Sequence, residues 1–241
     1  KYSFQGSLEW SKRVGNEGNY EESHAVAIDS SDNVYITGGV KTGLNGISSN
    51  GSTDMFLVKY NSAGVIQWTK LMGATADDSA EEVGYDVAID SSGNAYVTGY
   101  TSRTLDGTSA GFDDMFLVKY NSSGVKQWTR QLGTDYNDYG YGVAVDTSGN
   151  VFVTGVTQGR LVASISVPND SPKFFLVKYN SSGTKLWTKQ AQYNGNGGED
   201  VAIDSSGNAY VIGWTGMDIF GNGYAQGNKQ DMFIIKYDSS G

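Results

Sequence analysis

The stretch DSSGNAYVTG at residues 90–99 recurs in close copies at 29–38, 146–155 and 204–213. Each copy places an Asp before a Ser-Ser-Gly-type turn and then a short run of β-favouring residues. A polar residue opens a type I turn, and a Gly supplies the positive φ that closes a bulged hairpin. The phrase therefore predicts a β-hairpin that is repeated four times along one chain.

The rest of the chain keeps the same period of about 59 residues, which is the range of repeat architectures. A Trp and a Lys-Tyr pair mark each unit, at Trp10, Trp68, Trp128 and Trp187 and at Tyr60, Tyr120, Tyr179 and Tyr237. Each unit holds four strand-like runs, which in the second unit are DVAID, AYVTGYT, DMFLVKY and VKQWTRQL. They are rich in β-branched and aromatic residues and too short for helices.

The pattern of each run indicates its depth. The VAI runs are continuously apolar, as expected of a strand covered on both faces. In QWTRQL, by contrast, the side chains alternate between two faces, which predicts an outer strand with one solvent-exposed face. Four-stranded antiparallel units graded in this way are the blades of a β-propeller. We therefore predict an all-β protein of four blades, in which the repeated Trp packs between blades.

The predicted domain is a single propeller with blades at 23–72, 84–132, 140–191 and 198–238. The fourth unit ends before its outer strand. Because KYSFQGSLEW at the start of the chain matches KYNSAGVIQW at 59–68, we expect residues 8–14 to complete that blade and close the ring. The alternative is a fragment of a larger propeller.

The phrases DSSGNAYVTGYT, DDMFLVKYNSSGVKQW and LGTDYNDYGYGVAVD resemble the SBBP β-propeller repeat, and more distantly NHL-type repeats. The resemblance covers essentially the whole chain. It implies a propeller, usually with more than four blades, and a bacterial protein that is secreted or displayed at the cell surface. It implies no catalytic residues.

Composition narrows the classes of partner. The formal net charge of −9 argues against nucleic acid, and the absence of Cys excludes disulfides. No apolar run reaches the length of a transmembrane segment. The opening residues lack the features of a signal peptide, so we expect a mature or trimmed product.

The loops opposite the hairpin turns differ in sequence between units. Loops on a rigid frame commonly carry binding function, although exposed loops also vary in sequence without having any function. We predict an acidic loop face that binds a protein or a glycan through Asp77, Asp78, Glu81, Glu82, Asp113, Asp135, Asp138 and Trp214. The run DDSAEE at 77–82 offers oxygen ligands for Ca²⁺ but lacks the spacing of a dedicated calcium loop.

A second candidate is the mouth of the central channel, where a cation or water would be held by residues at the start of the inner strands: His24, Tyr85, Asp86, Tyr141, Glu199 and Asp200. Four further Asp residues end these strands, at Asp29, Asp90, Asp146 and Asp204. We expect these to accept backbone N–H groups within their own turns.

The single His, His24, argues against multi-His metal sites and repeated His-based acid–base chemistry, and the absence of Cys excludes a thiol nucleophile. We therefore expect a non-catalytic extracellular scaffold or binding module. The alternatives are a carbohydrate-active enzyme that uses loop carboxylates, and a structural component of a surface assembly.

Overall fold

The computed structural model describes residues 1–15, 20–73, 79–107, 109–164, 170–216 and 230–241. Within these ranges the chain forms strands and no helix, and no segment there would cross a membrane as a helix. The first sheet contains β1 (Glu21–Ile28), β2 (Val34–Val40), β3 (Asp54–Tyr60) and β4 (Ile66–Met72). The second contains β5 (Glu82–Ile89), β6 (Ala95–Thr101), β7 (Asp114–Tyr120) and β8 (Lys126–Leu132). The third contains β9 (Asp138–Val145), β10 (Val151–Thr157), β11 (Lys173–Tyr179) and β12 (Lys185–Gln190), and the fourth β13 (Asn196–Ile203), β14 (Ala209–Thr215) and β15 (Asp231–Tyr237).

Each sheet is a blade of antiparallel strands in chain order, which confirms the predicted all-β propeller architecture. The inner strands start two residues before the predicted boundaries, at 21, 82, 138 and 196, because those residues still pair with the end of the second strand. Glu82 pairs with Thr101, for example.

The repeated Asp-Ser-Ser-Gly-Asn phrase forms the predicted hairpin turn. The Asp90 carboxylate accepts hydrogen bonds from the backbone N–H groups of Ser92 and Asn94 and from the Asn94 side chain. Gly93 has a φ of 75°, a conformation that few residues other than glycine adopt without cost. The same Asp–Asn pattern holds the other three turns, so the prediction that these Asp residues serve their own turns is confirmed.

The hydrophobic core lies between blades. One cluster joins Tyr35, Met55 and Leu57 of the first blade to Val87 of the second, and the equivalent residues form a cluster at the next two boundaries. The Trp residues of the outer strands seal these boundaries, as predicted. The Trp68 indole N–H donates to the carbonyl of Ser122 in the following blade at 3.3 Å.

The N-terminal segment packs against the first blade. Residues 9–14 form no strand and do not join β15, so the fourth sheet has three strands among the described residues. Instead the Trp10 indole N–H donates to the carbonyl of Ser62 at 3.0 Å, and the ring stacks near Tyr60. This is the contact that an outer strand makes with the blade that follows it. The segment is thus anchored to the first blade. Its predicted pairing with 231–237 is not shown among the described residues and stays a prediction.

Candidate functional site

The inner strands share one irregularity near the predicted channel mouth. Each ladder is interrupted by one unpaired residue, and the four residues are His24, Tyr85, Tyr141 and Glu199. A β-bulge redirects the side chain of the extra residue and is common beside functional sites. The four bulged residues are the ones that the sequence places at equivalent positions of the mouth.

Two bulged tyrosines belong to a larger cluster, which we call the tyrosine cluster and define as Tyr85, Tyr100, Tyr139 and Tyr141. Ring centroids are separated by 5.7 Å between Tyr85 and Tyr100 and by 5.3 Å between Tyr85 and Tyr141. Tyr139 completes the circuit, at 5.4 Å from Tyr100 and 6.0 Å from Tyr141. His24 packs edge-on against Tyr85 at 5.2 Å. All four tyrosines are partly exposed, so the cluster reaches the surface.

Carboxylates surround the tyrosine cluster. The Tyr139 hydroxyl donates to Asp113 at 2.9 Å, and the Tyr100 hydroxyl donates to Glu81 at 3.3 Å. Burial raises the pKa of Tyr85, and the charges of Asp113, Glu22 and Glu81 raise it further. Burial likewise raises the pKa of Tyr141 to about 12, with contributions from Tyr85 and Glu199. The tyrosines therefore stay neutral and lie in a negative field at physiological pH.

Asp86 and Asp200 hold the inner strands rather than a surface site. Asp86 accepts the backbone N–H of Val87 at 2.8 Å and that of Val143, in the next blade, at 2.7 Å. Burial raises the pKa of Asp86 to about 6, with a smaller contribution from Asp200. Asp200 accepts the backbone N–H of Val201 and lies against Gly142 of the neighbouring inner strand.

The predicted loop-face acids fall into distinct groups. Glu81 and Asp113 join the tyrosine cluster, whereas Glu82 and Asp138 are fully buried and bond to Thr101 and Thr134. These two do not fit the predicted role in a ligand-facing surface, because they lie at the first positions of buried inner strands. The other two predicted acids near this face, Asp77 and Asp78, lie outside the described residues.

Asp135 and Trp214 lie apart from the cluster. Asp135 is exposed and lines a cavity of about 230 Å³ with Arg160. Trp214 is partly exposed and packs over Gly197 of its own blade, at the position that Tyr100 occupies in the second blade. Their predicted roles in ligand binding stay predictions.

Sequence reasoning missed Tyr100 and Tyr139 as members of the cluster. A usable signal exists, because Tyr139 lies two residues before Tyr141 in DYGYGVAV and Tyr100 matches Trp214 in the repeat. The alternation of side chains along a strand puts Tyr139 and Tyr141 on one face. It does not show that Tyr85 joins them, because a β-bulge has no sequence signal of its own.

The Ca²⁺ hypothesis stays untested. Across the described part of the chain, no three His, Asp or Glu side chains are grouped to hold a metal ion. Two of the six residues of the DDSAEE run that suggested calcium, Asp77 and Asp78, lie outside the described ranges.

Comparison with known sequences gives the family. The SBBP β-propeller repeat matches at residues 9–38, 67–104, 127–161 and 187–221, more than half of the chain. The chain belongs to the SBBP β-propeller repeat family. The last three matches start within the outer strands β4, β8 and β12 and extend past the second strand of the next blade, and the first runs from residue 9 into β2. SBBP units therefore cross blade boundaries. The first match begins within residues 8–14, in line with their reading as an outer-strand segment.

Two curated relatives contain similar stretches. An uncharacterized WD repeat-containing protein L264 of Acanthamoeba polyphaga mimivirus is 23% identical over 80% of this chain and 17% of its own length. The regulatory protein FlaEY of Caulobacter vibrioides is 31% identical over 59% of this chain and 16% of its own length. The chain thus spans about one sixth of either relative.

Solved structures give weaker likenesses. A luciferin-regenerating enzyme is 13% identical, with a TM-score of 0.28 over 86% of this chain and 88% of that one. The rhamnogalacturonan lyase YesW is also 13% identical, with a TM-score of 0.33 over 91% of this chain and 54% of that one.

Proposed function

We propose that this SBBP propeller is a non-catalytic binding module whose tyrosine cluster receives a cationic group, such as a lysine or arginine side chain of a protein or the amine of a glycan. The observation that carries the proposal is the circuit of four partly exposed tyrosine rings, bordered by Glu81 and Asp113.

The chemistry of the cluster favours a cation. A tyrosine ring carries negative charge density on its face, and a cation over such a face gains about 0.5–2 kcal/mol, depending on desolvation. Carboxylates at the border add a field that attracts positive charge from a distance. The chain as a whole has a formal net charge of −9, which acts in the same direction.

The proposal of a non-catalytic role rests on the environment of the carboxylates. Among the described acids, Asp86, Glu82 and Asp138 bond to groups of the chain itself, and Asp113 accepts the Tyr139 hydroxyl. A glycosidase needs two carboxyl groups on opposite sides of one bond. If the protein were a carbohydrate-active enzyme instead, Glu81 and Asp113 would be the best candidates for its two carboxyl groups.

The experiment measures binding of an immobilised panel of lysine- and arginine-bearing peptides and amino sugars, with tetramethylammonium as a soluble competitor. The double variant Tyr85→Ala/Tyr141→Ala should bind about tenfold more weakly, because two ring faces are lost. Tyr193→Ala is the matched control, since Tyr193 is exposed and lies outside the tyrosine cluster. It should bind like the wild type.

Equal binding by the double variant and the wild type would contradict the proposal. Turnover of a glycan that is lost in Asp113→Asn would favour the enzyme alternative instead.

We extend the proposal to the localisation of the protein and, on the basis of the family resemblance, propose that it is an exported bacterial protein. Detection of the natural protein only inside the cell would contradict this part of the proposal. Ordered self-assembly seen by electron microscopy would favour the structural alternative.

A further inference from the structure

The outer strands β4, β8 and β12 carry a cation at one position of the repeat, two residues after the Trp. The three side chains are Lys70, Arg130 and Lys189. Each lies against the glycine that closes a hairpin turn of the following blade, and these glycines are Gly124, Gly183 and Gly241. A Cβ added to them would fall 2.7–3.0 Å from the cationic side chain. The stem of each cation therefore packs across a blade boundary.

Two of these cations have a carboxylate nearby. The Arg130 guanidinium lies 3.5 Å from Asp106, in a loop of its own blade. Lys189 faces a carboxylate in the turn that it covers, because hydrogen bonds from Ser240 lower the pKa of Asp238 and the charge of Lys189 lowers it further. At these two boundaries the positive charge is compensated within the chain.

Lys70 differs from its two equivalents. Among the described residues, no carboxylate lies within 4.0 Å of its ammonium group. The sequence gives the reason, because TGLNG at 42–46 places Asn45 where RTLDG at 103–107 places Asp106. The turn that Lys70 covers begins with Asn121 rather than with Asp. Both positions that supply a counter-charge elsewhere are thus neutral amides here.

A cavity of about 440 Å³ opens beside Lys70, between β4 and the turn that leads into β8. Its polar wall contains Asn50, Lys70 and Lys126, and its apolar wall contains Leu71 and Met72. Lys126 is exposed, and in the described part of the chain no carboxylate lies within 4.0 Å of it either. Pockets for small molecules commonly measure about 300–1,000 Å³. The cavity therefore has the size of a ligand site and two ammonium groups in its wall.

The fold fixes the rim of this cavity through Asp54. Its carboxylate accepts the backbone N–H of Asn50 at 2.9 Å, and burial raises its pKa. Asp54 is fully buried and lies so close to Gly73 that a Cβ on Gly73 would collide with the carboxylate. Asp54 thus holds the loop that brings Asn50 to the cavity, and its own charge is directed at the backbone.

We propose that this cavity binds a small organic anion. The carboxylate, sulfate or phosphate group of the ligand lies between the ammonium groups of Lys70 and Lys126, and the rest of the ligand lies on Leu71. Hydrogen bonds between ammonium groups and oxyanions are about twice as strong as those between neutral groups. The site lies apart from the tyrosine cluster and has the opposite charge preference.

The first test is a titration followed in two-dimensional amide NMR spectra. The probes are glucuronate, glucose 6-sulfate and glucose 6-phosphate, compared with neutral glucose and cationic glucosamine. At least one anionic probe should shift the amide signals of Asn50, Gly73 and Gly124 along a saturable curve. Glucose and glucosamine should leave these signals unchanged, and the anion that binds most tightly identifies the preferred head group.

The second test removes the two ammonium groups. Lys70→Gln/Lys126→Gln should weaken binding of the preferred probe by about tenfold or more, because both charge-assisted hydrogen bonds are lost. The matched control is Lys185→Gln/Lys189→Gln, which removes the same charge from β12 at the equivalent positions. It should bind the probe like the wild type, which separates the local effect from the net charge of the chain.

The third test supplies the missing counter-charge without altering the cavity wall. Asn45→Asp reproduces the Asp-Gly pair of the second blade, which suits a tight turn as well as Asn-Gly does. Its carboxylate should pair with Lys70 as Asp106 pairs with Arg130 and should weaken binding by about threefold or more. Asn180→Asp adds the same charge in a turn of the third blade, where Asp238 shows that Asp is accepted, and should not alter binding.

Three results would overturn the proposal. One is the absence of saturable shifts with all three anionic probes, and another is binding of glucose as tight as that of the anions. The third is equal binding by Lys70→Gln/Lys126→Gln and its control on β12. Thermal unfolding checks that each variant is folded, and Asn45→Asp tests the role of Lys70 while both lysines are retained.

Discussion

The Asp86 carboxylate stabilises the fold by accepting two hydrogen bonds, from the backbone N–H groups of Val87 and Val143. Burial raises its pKa to about 6, although the N–H groups of Val143 and Val87 act in the opposite direction. An unfolded Asp titrates near a pKa of about 3.9. Between about pH 4 and pH 6 the folded chain therefore binds more protons at Asp86 than the unfolded chain does.

This difference predicts a pH dependence of stability. The contribution of Asp86 to the free energy of unfolding is greatest below about pH 4 and falls as the pH rises to about 6. Asp86→Asn removes the titration, so its free energy of unfolding should fall less steeply than that of the wild type in this window. It should also be lower throughout, because the amide has one oxygen for two N–H donors. Urea unfolding at half-unit pH steps measures both effects.

Asp138 has a pKa raised to about 6 by burial and contributes to the same window. Asp86→Asn should therefore remove only part of the slope, and Asp86→Asn/Asp138→Asn should remove more of it. Identical slopes for wild type and both variants would contradict the assignment.

At the scale of the hairpin, the first turn departs from the other three in one residue. Asp32 has a φ of 60° where Gly93, Gly149 and Gly207 have 75–80°. A left-handed conformation costs a residue with a side chain about 1–2 kcal/mol, less for Asp, while glycine loses about 0.5–1 kcal/mol of backbone entropy. The turn is otherwise held by the same Asp29–Asn33 hydrogen bonds.

Asp32→Gly should therefore raise the free energy of unfolding by a few tenths to about 1 kcal/mol. The reciprocal change, Gly93→Asp, should lower it by a similar or larger amount, because a Cβ on Gly93 would lie 3.3 Å from that of Ser122 in the next turn. Thermal melts of both variants check the pair. A loss of stability in Asp32→Gly would show that the Asp32 side chain stabilises the turn more than its backbone strain costs.

These elements also show how far the sequence predicts the molecule. The hairpins, the strand order within each blade and the interblade Trp contacts follow from period and alternation, as the bonds of Asp90 and Trp68 show. The tyrosine cluster does not, because a bulge at Tyr85 moves a side chain that alternation assigns elsewhere. The pairing of residues 8–14 with β15 stays a prediction, since repeat phase identifies an outer strand without showing which blade receives it.

At the scale of the whole molecule, neighbouring blades meet at threonine–glycine pairs, in which a threonine of the second strand of one blade faces a glycine of the inner strand of the next. The pairs are Thr37 of β2 with Gly84 of β5, Thr98 of β6 with Gly140 of β9, and Thr154 of β10 with Gly198 of β13. The pair Thr98–Gly140 joins the two central blades, and both residues are fully or almost fully buried. Packing at such a contact is too dense to admit an added side chain without a shift of the strands. One residue at this position therefore limits how closely two blades can approach.

Gly140→Ser should accordingly lower the free energy of unfolding by about 1–3 kcal/mol, the usual cost of overpacking. Thr98→Ala alone should cost about 1 kcal/mol, because the hydroxyl loses its hydrogen bond to the carbonyl of Phe116. The double variant Gly140→Ser/Thr98→Ala should be more stable than the sum of the single losses predicts, since the smaller side chain leaves room for the new one. Urea unfolding of the four chains forms a double-mutant cycle. Strict additivity in that cycle would mean that the two residues do not press on each other and that blade spacing is set elsewhere.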